Sequence, residues 1–253
     1  MIHYLLKQRV IFDSKMKTMT NYISLLFLGV SLFSCSVESK ENLEKQADEK
    51  AQKEMPNALD YFYPKDTTVY MYVYQNVNNP EDRYVERVVY REIEGADHYF
   101  ISRYNMKLEP KATMTYWVLD NNIELMKANI MVGRVSYESK ISSGQFFPSN
   151  GKSVGKISYD YPENDSIINV IEVNRKFDRK DVIEEGEHST DVIVFQDSIR
   201  LTRVDIKNKQ DQAFPAFMYS YFGKGIGKVR EENKNRTYQL VLRTTAKDFG
   251  QIK

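Results

Sequence analysis

Apolar and polar residues alternate along most of the chain after Tyr61, and a period of two is the pattern of β-strands with one buried face. The run from 67 to 74 is the clearest example. It would put three aliphatic side chains on one face and three tyrosines on the other: Val69, Met71 and Val73, and Tyr70, Tyr72 and Tyr74. Similar runs predict strands at 84–93, 97–104, 112–119, 122–137, 167–175, 190–206, 215–221 and 237–243.

Turn-forming residues separate these runs. Groups such as Asn78-Asn79-Pro80, Glu94-Gly95 and Ser149-Asn150-Gly151 favour tight reversals of the chain. Short strands joined by such turns pair antiparallel, and no amphipathic helix longer than a few turns is evident after residue 57. We therefore expect a mainly β domain over 58–253, built from a single antiparallel sheet that curls into a half-barrel or folds into a sandwich.

The first 34 residues have the pattern of a secretory signal peptide. Lys15 and Lys17 precede an uncharged stretch at 22–33, and a small residue, Ser34, follows it. About a dozen apolar residues are too few for a comfortable membrane span, which needs about 20. Since a basic start directly before the apolar stretch is typical of such peptides, Met16 or Met19 is the expected true start.

The end of this stretch, Leu32-Phe33-Ser34-Cys35, resembles the lipobox of bacterial lipoproteins. In that motif a leucine stands three positions before the cysteine and a small residue directly before it. The resemblance implies cleavage before Cys35 and acylation of its sulfur and new amino group, and several acyl chains on one residue make a stable anchor. It also implies a Gram-negative outer membrane, on its periplasmic or cell-surface side, because Ser36 is not the aspartate that commonly causes inner-membrane retention.

The segment 35–57 is predicted to be a tether between the lipidated cysteine and the β domain. Its sequence from 38 to 54 is rich in Glu, Lys, Ala and Gln and contains Leu43 as its only large apolar side chain. It cannot bury a face, so it is expected to be solvated, either disordered or as a fluctuating helix. Fully extended, it would reach roughly 70 Å at most.

Composition excludes several classes of function. The formal net charge is +1, from 36 basic and 35 acidic residues, so no overall field attracts nucleic acid. With one cysteine the chain can form neither an intramolecular disulfide nor a four-thiolate zinc site. The chain has three histidines in all, which is a small supply of ligands for a zinc site, and we expect no metal and no cofactor.

Catalytic motifs are not evident either. No Gly-x-Ser-x-Gly elbow occurs, and the cysteine is assigned to lipidation. One cluster of carboxylates with an imidazole remains as a hydrolytic alternative, provided that its members converge on a cleft: Glu184, Glu185, Glu187 and His188. Solvated loop charges are the simpler interpretation, so no catalytic residue is assigned.

Tyrosines could form a binding surface. An exposed row of Tyr70, Tyr72 and Tyr74, with Trp117 as a further candidate, would suit a sugar or an apolar ligand, because these rings join a flat apolar face to a polar edge. Packing of the same rings in a core is the simpler interpretation. A surface glycan-binding module is nevertheless kept as the second hypothesis for function.

The stretch Tyr221-Phe222-Gly223-Lys224-Gly225-Ile226-Gly227-Lys228-Val229 suits a strand, a tight turn and a second strand, because its glycines permit positive φ. It resembles a hairpin of envelope lipoproteins with curled antiparallel sheets, including half-barrels similar to LolA and LolB. The resemblance implies a concave face that holds an acyl chain. The leading hypothesis is therefore a non-enzymatic, outer-membrane-anchored lipoprotein that binds a hydrophobic ligand or an envelope partner protein.

Overall fold

A computed structural model describes residues 54–119, 122–185 and 188–251. The predicted signal peptide, Cys35 and most of the predicted tether lie outside these residues. Within the described part of the chain, no helix is both long and apolar enough to cross a bilayer.

Strands make up most of the described chain. They are β1 (Val69–Asn76), β2 (Asn79–Ile93), β3 (Ala96–Asn105), β4 (Pro110–Leu119), β5 (Asn122–Val132), β6 (Val135–Glu138), β7 (Lys140–Gly144), β8 (Val154–Asn164), β9 (Ile167–Glu185), β10 (His188–Asp205), β11 (Gln210–Gly223), β12 (Gly227–Glu232) and β13 (Thr237–Thr245). A 3-10 turn, Ala58–Tyr61, precedes them, and a short helix, α1 (Ala246–Phe249), follows them.

All the strands belong to one antiparallel sheet, in the order β6-β5-β4-β3-β2-β1-β13-β12-β11-β10-β9-β8-β7. Its two ends approach each other. Gln145, just after β7, forms a bridge with Glu124 of β5, and the Phe146 N–H donates to the Ile123 carbonyl at 2.8 Å. The sheet therefore nearly closes around an interior, and the prediction of a single curled antiparallel sheet is confirmed.

Several strand limits differ from those predicted. The run at 122–137 is two strands, because Gly133 adopts a φ of +63° and reverses the chain between β5 and β6. β7 and β8 were not predicted, and β9 extends ten residues beyond the predicted end at 175. The predicted hairpin at 221–229 is confirmed as the connection of β11 to β12, with Gly225 and Gly227 at positive φ.

One end of the interior, here called the closed end, is filled by aromatic rings. It includes the β11–β12 turn and the segment 58–63, from which Phe62 inserts with 2% of its surface exposed. Its ring makes edge contacts with a set of other rings: Tyr63, Tyr99, Tyr116, Phe146 and Phe147. Such rings contribute large buried apolar areas and favour edge-to-face geometry, so this end is a packed core.

A smaller apolar cluster covers part of the sheet's outer face. Met71, Val73 and Val85 are buried there, against partly buried residues that include Leu108 of the β3–β4 turn and Phe249 of α1. The neighbouring inward residues Tyr72 and Tyr74 belong to the interior core. β1 is therefore buried on both faces, which explains why its sequence combines aliphatic residues and tyrosines without a solvent-facing polar row.

Candidate functional site

The inward-facing residues change in character along the strands. On β10, Ile193 and Phe195 lie at the closed end, Asp197 follows them, and all three are completely buried. The next inward residue, Ile199, is only half-buried. The same order recurs on other strands, so the interior passes from an aromatic closed end through a charged layer to a less covered apolar end, here called the open end.

The deepest charged pair is formed by Arg175 of β9 and Asp197 of β10. Two hydrogen bonds of 2.7 Å join the guanidinium Nε and Nη2 to the two carboxylate oxygens, and the Ser220 hydroxyl donates to the same carboxylate at 2.6 Å. The third nitrogen, Nη1, is buried without a hydrogen-bond partner among the described residues. The guanidinium carbon lies 4.4 Å from the Phe146 ring centroid, so a ring face takes the place of an acceptor.

Gly155 makes room for this arrangement. A Cβ at this position of β8 would lie 2.9 Å from the Phe147 carbonyl carbon and 3.0 Å from the Pro148 nitrogen. Because Gly155 carries no side chain, the 146–148 segment lies directly against β8. This places the Phe146 ring over Arg175.

A second charged group joins strands that are not neighbours, since β1 and β13 separate β2 from β12 in the sheet. Lys228 of β12 donates hydrogen bonds of 3.1 Å to Glu86 of β2 and to Glu231 of β12. Arg103 of β3 donates to the same Glu86 oxygen at 2.8 Å, and the Tyr63 hydroxyl donates to the other oxygen at 3.1 Å. Together with the Arg175–Asp197 pair, these residues are called the charged belt: Glu86, Arg103, Arg175, Asp197, Lys228 and Glu231.

Positive side chains keep two carboxylates of the belt, Glu86 and Glu231, ionised. Burial by itself raises the pKa of Glu86, but the Lys228 ammonium and the Arg103 guanidinium outweigh it and lower the pKa to about 2. Burial also opposes ionisation of Glu231, whose pKa is nevertheless lowered by Lys228 and Arg103. Glu86 and Glu231 are therefore ionised at neutral pH, and the belt as a whole contains three basic and three acidic side chains.

Three polar groups of the interior keep hydrogen-bonding capacity that contacts within the charged belt do not satisfy. The Arg103 side chain is 42% exposed and bonds Glu86 only through Nε and Nη2. The hydroxyls of Tyr116 and Tyr159 have no hydrogen-bond partner among the described residues, although each interacts electrostatically with Arg103. Burial raises the pKa of Tyr159 to about 12, so its hydroxyl keeps its proton at neutral pH.

Apolar side chains line the interior beside these groups. Four of them pack only partly against the core: Ile101, Met114, Ile141 and Val173. They come from β3, β4, β7 and β9, and therefore surround the interior from several sides. An apolar lining with a few convergent polar groups is the usual character of a small-molecule site.

The predicted tyrosine row is not an exposed platform. Tyr72 and Tyr74 have no exposed surface, and their hydroxyls donate to the carbonyls of Ile226 and Lys228 at 2.8 Å. Tyr70 is partly buried and donates to Asp66. The alternative of an exposed row is therefore not found, and the simpler interpretation, packing in a core, is confirmed for Tyr72 and Tyr74, because the face they share is the inner face of a nearly closed sheet.

Trp117 lies on the opposite face of the sheet from these tyrosines. Its neighbour in β4, Tyr116, points into the interior core, so Trp117 is on the outer face, where its ring makes an edge contact with His98. The structure does not bring it together with Tyr70, Tyr72 and Tyr74.

The described members of the carboxylate cluster near the β9–β10 turn do not converge on a common point. Glu185 pairs directly with His188, and Glu184 pairs with Ser189. Directly paired residues share a face and successive residues alternate, so Glu184 and His188 lie on opposite faces, and both are exposed. Glu187 lies outside the described residues. Within the described chain, no group of three or more potential metal-ligating side chains is found.

Comparisons with known proteins identify neither a family nor an activity. No protein-family model matches the chain, and no curated protein matches it. A solved structure of a proposed lipoprotein from Parabacteroides distasonis ATCC 8503 is 11% identical, with a TM-score of 0.46 over 71% of this chain and 96% of that one. A proposed exported protein with a YmcC-like fold from Bacteroides fragilis NCTC 9343 is 13% identical, with a TM-score of 0.47 over 73% and 99%. Likenesses at this level support no conclusion about the fold or the function of this chain.

Proposed function

We propose that the chain is a non-enzymatic lipoprotein of the bacterial outer membrane, anchored through Cys35, and that it holds a small amphipathic ligand in the open end of its curled sheet. The observation that supports a ligand site is the difference between the two ends of the interior. The closed end is filled by Phe62 and its neighbouring rings, whereas the open end keeps half-buried apolar side chains beside unused polar groups.

The polar groups favour a ligand with an oxygen-bearing head group. Arg103 can donate through its remaining nitrogen, and the protonated hydroxyls of Tyr116 and Tyr159 can each donate one hydrogen bond. Because the charged belt is balanced, a head group with at most one negative charge fits better than a polyanion. A carboxylate or an ester on a hydrocarbon chain meets this requirement, and Ile101, Met114, Ile141 and Val173 suit the hydrocarbon part.

Removing two interior hydroxyls tests the site with little change in packing. The full chain with Tyr116→Phe and Tyr159→Phe should bind palmitate about thirtyfold more weakly than the unchanged chain, because two hydrogen bonds of about 1 kcal/mol each are lost. Native mass spectrometry of the detergent-purified protein, together with titration with palmitate, measures both co-purifying and added ligand.

Tyr104→Phe is the matched control, because Tyr104 packs against the outer cluster of Met71, Val73 and Val85 rather than into the interior. It should bind palmitate as the unchanged chain does. The ligand site is disproved if the unchanged chain binds neither a co-purifying amphiphile nor palmitate, or if the double variant and the unchanged chain bind equally.

The anchor is tested separately by Cys35→Ala. This variant should lose incorporation of labelled palmitate and should no longer fractionate with the outer membrane, because the acylated sulfur and amino group are then missing. Ser36→Ala, one residue along, should keep both properties. Labelling or outer-membrane fractionation of Cys35→Ala at the level of the unchanged chain would contradict the anchor.

A further inference from the structure

The outer face of β8–β11 carries a second surface, which the interior site does not involve. The strand register aligns two rows of side chains across these four strands. One row is Phe217, Ser198, Asn174 and Lys156, and the next is Tyr219, Gln196, Lys176 and Val154. Neighbouring strands lie about 4.8 Å apart, so each row is roughly 14 Å long.

Two aromatic rings project from one edge of this surface. Phe217 is 65% exposed and Tyr219 is 38% exposed. On the edge of β11 away from β10, the pairing with β12 runs from Gly223 back to Tyr219, which pairs with Glu232, and it does not reach Phe217. Two adjacent exposed rings form a contiguous apolar patch, and such patches commonly mark interaction sites, so the pair is a functional candidate.

Phe217 stands between two open grooves. One groove, of about 440 Å³, is lined by seven of the eight residues in the two rows, all except Tyr219. The other, of about 560 Å³, lies between β11 and the β12–β13 turn and is lined by Pro215, Ala216, Phe217, Tyr219, Glu232, Asn233, Lys234 and Asn235. The two grooves form one surface around a single ring, here called the Phe217 surface.

We propose that the Phe217 surface binds an acidic polysaccharide. Amide and hydroxyl side chains supply both donors and acceptors for sugar hydroxyls, and Asn174, Gln196 and Ser198 stand side by side on it. The rings of Phe217 and Tyr219 supply flat apolar faces for the C–H faces of pyranose rings. A surface about 14 Å long suits several sugar residues in succession rather than one.

The charge of the surface favours an acidic polymer over a neutral one. Lys156, Lys176 and Lys234 have no ion-pair partner among the described residues, whereas Glu232 is paired with Arg230 at 2.7 Å. In the next row, Arg200 and Glu172 stand directly opposite each other. The uncompensated charge is therefore positive, and uronate carboxylates would complement it.

A sugar fits this surface better than a protein segment does. The lining away from the two rings consists mostly of amides, a hydroxyl and lysines, with Val154 as its only large aliphatic residue. Pairing of a peptide strand with the free edge of β11 would also meet Pro215, which has no N–H to donate. The core of a protein interface is usually depleted in charge and more apolar than this.

Affinity electrophoresis of the full chain in detergent, through gels containing polygalacturonate or neutral dextran, tests the proposal. The unchanged chain should be retarded by polygalacturonate more than by dextran. Phe217→Ala should weaken this binding about tenfold, because one stacking face is removed. Lys156→Gln with Lys176→Gln should weaken polygalacturonate binding and leave retardation by dextran unchanged, each retardation being measured against the same variant in a gel without polysaccharide.

Phe214→Ala is the matched control, since Phe214 lies on the same strand, is 51% exposed and faces the other side of the sheet. It should be retarded like the unchanged chain. No retardation of the unchanged chain by polygalacturonate, or equal retardation of Phe217→Ala, overturns the proposal. Loss of a co-purifying protein from Phe217→Ala without a change in retardation would overturn it in favour of a protein partner.

Discussion

Asp197→Ala should destabilise the folded chain by about 3–5 kcal/mol, because it leaves a buried guanidinium without its counter-ion. The Arg175 side chain is 7% exposed and both hydrogen bonds of its bidentate pair go to Asp197. Its remaining nitrogen already faces an aromatic ring, so no other acceptor is at hand. Urea unfolding of the detergent-purified chain, followed by tryptophan and tyrosine fluorescence, measures the loss.

Two controls separate the buried charge from a general effect of substitution. Glu163→Ala removes a carboxylate from an equally bidentate pair with Arg203, but both side chains are about 40% exposed, so its effect should be far smaller. Arg175→Met with Asp197→Leu removes both charges together and should recover most of the stability lost in Asp197→Ala. Equal destabilisation by Glu163→Ala and Asp197→Ala would contradict this account of the pair.

The architecture could be predicted because burial on one face imposes a period of two on each strand. β3 and β13 were located within two residues at each end for this reason. β7 and β8 escaped prediction for a physical reason as well. β7 has five residues and only Ile141 as a large apolar side chain, and β8 interrupts its alternation with Gly155 and Pro162, whose roles depend on what packs against them.

The charged belt could not be predicted from the same pattern. An inward position for Glu86 follows from alternation in β2, and a charge there is a signal of an interior ion pair. Its partner Lys228 lies 142 residues away in sequence, on β12, which β1 and β13 separate from β2. That pairing depends on the strand order and the curl of the sheet, and a local pattern of apolar and polar residues does not contain this information.

The tyrosines of β1 show a related limit. Alternation assigned Tyr72 and Tyr74 correctly to a common face, but the degree of burial depends on what stands opposite that face. The Tyr63 ring makes an edge contact with Tyr72, and the Tyr84 ring stacks on Tyr74 at 4.8 Å. Conversely, Phe217 and Tyr219 were predicted to lie on a strand, but the alternation did not show that they are exposed. Their exposure depends on the neighbouring strand β12, whose pairing with β11 stops at Tyr219.

The second large effect is the loss of folding stability that we expect when Glu86 is protonated at low pH. Its pKa is 4.5 when unperturbed and about 2 in the fold, so the folded state binds the proton less readily than the unfolded state. The stability that this difference contributes is complete above pH 4.5 and is lost as the pH falls from there towards 2. By linkage the loss is about 3 kcal/mol.

Glu86→Gln should therefore flatten the pH dependence of the free energy of unfolding between pH 5 and pH 2.5, while lowering stability at pH 7, where Lys228 loses its main acceptor on β2. Lys228→Met takes away the ammonium that opposes the effect of burial, so the pKa of Glu86 in the fold should rise. Stability at pH 7 should then fall, because Glu86 is buried with less compensation, and the part of the pH dependence that Glu86 contributes between pH 5 and pH 2.5 should shrink or reverse. Unfolding curves of the unchanged chain and of Glu86→Gln that stay parallel from pH 5 to pH 2.5 would show that Glu86 is not the group whose protonation opens the belt.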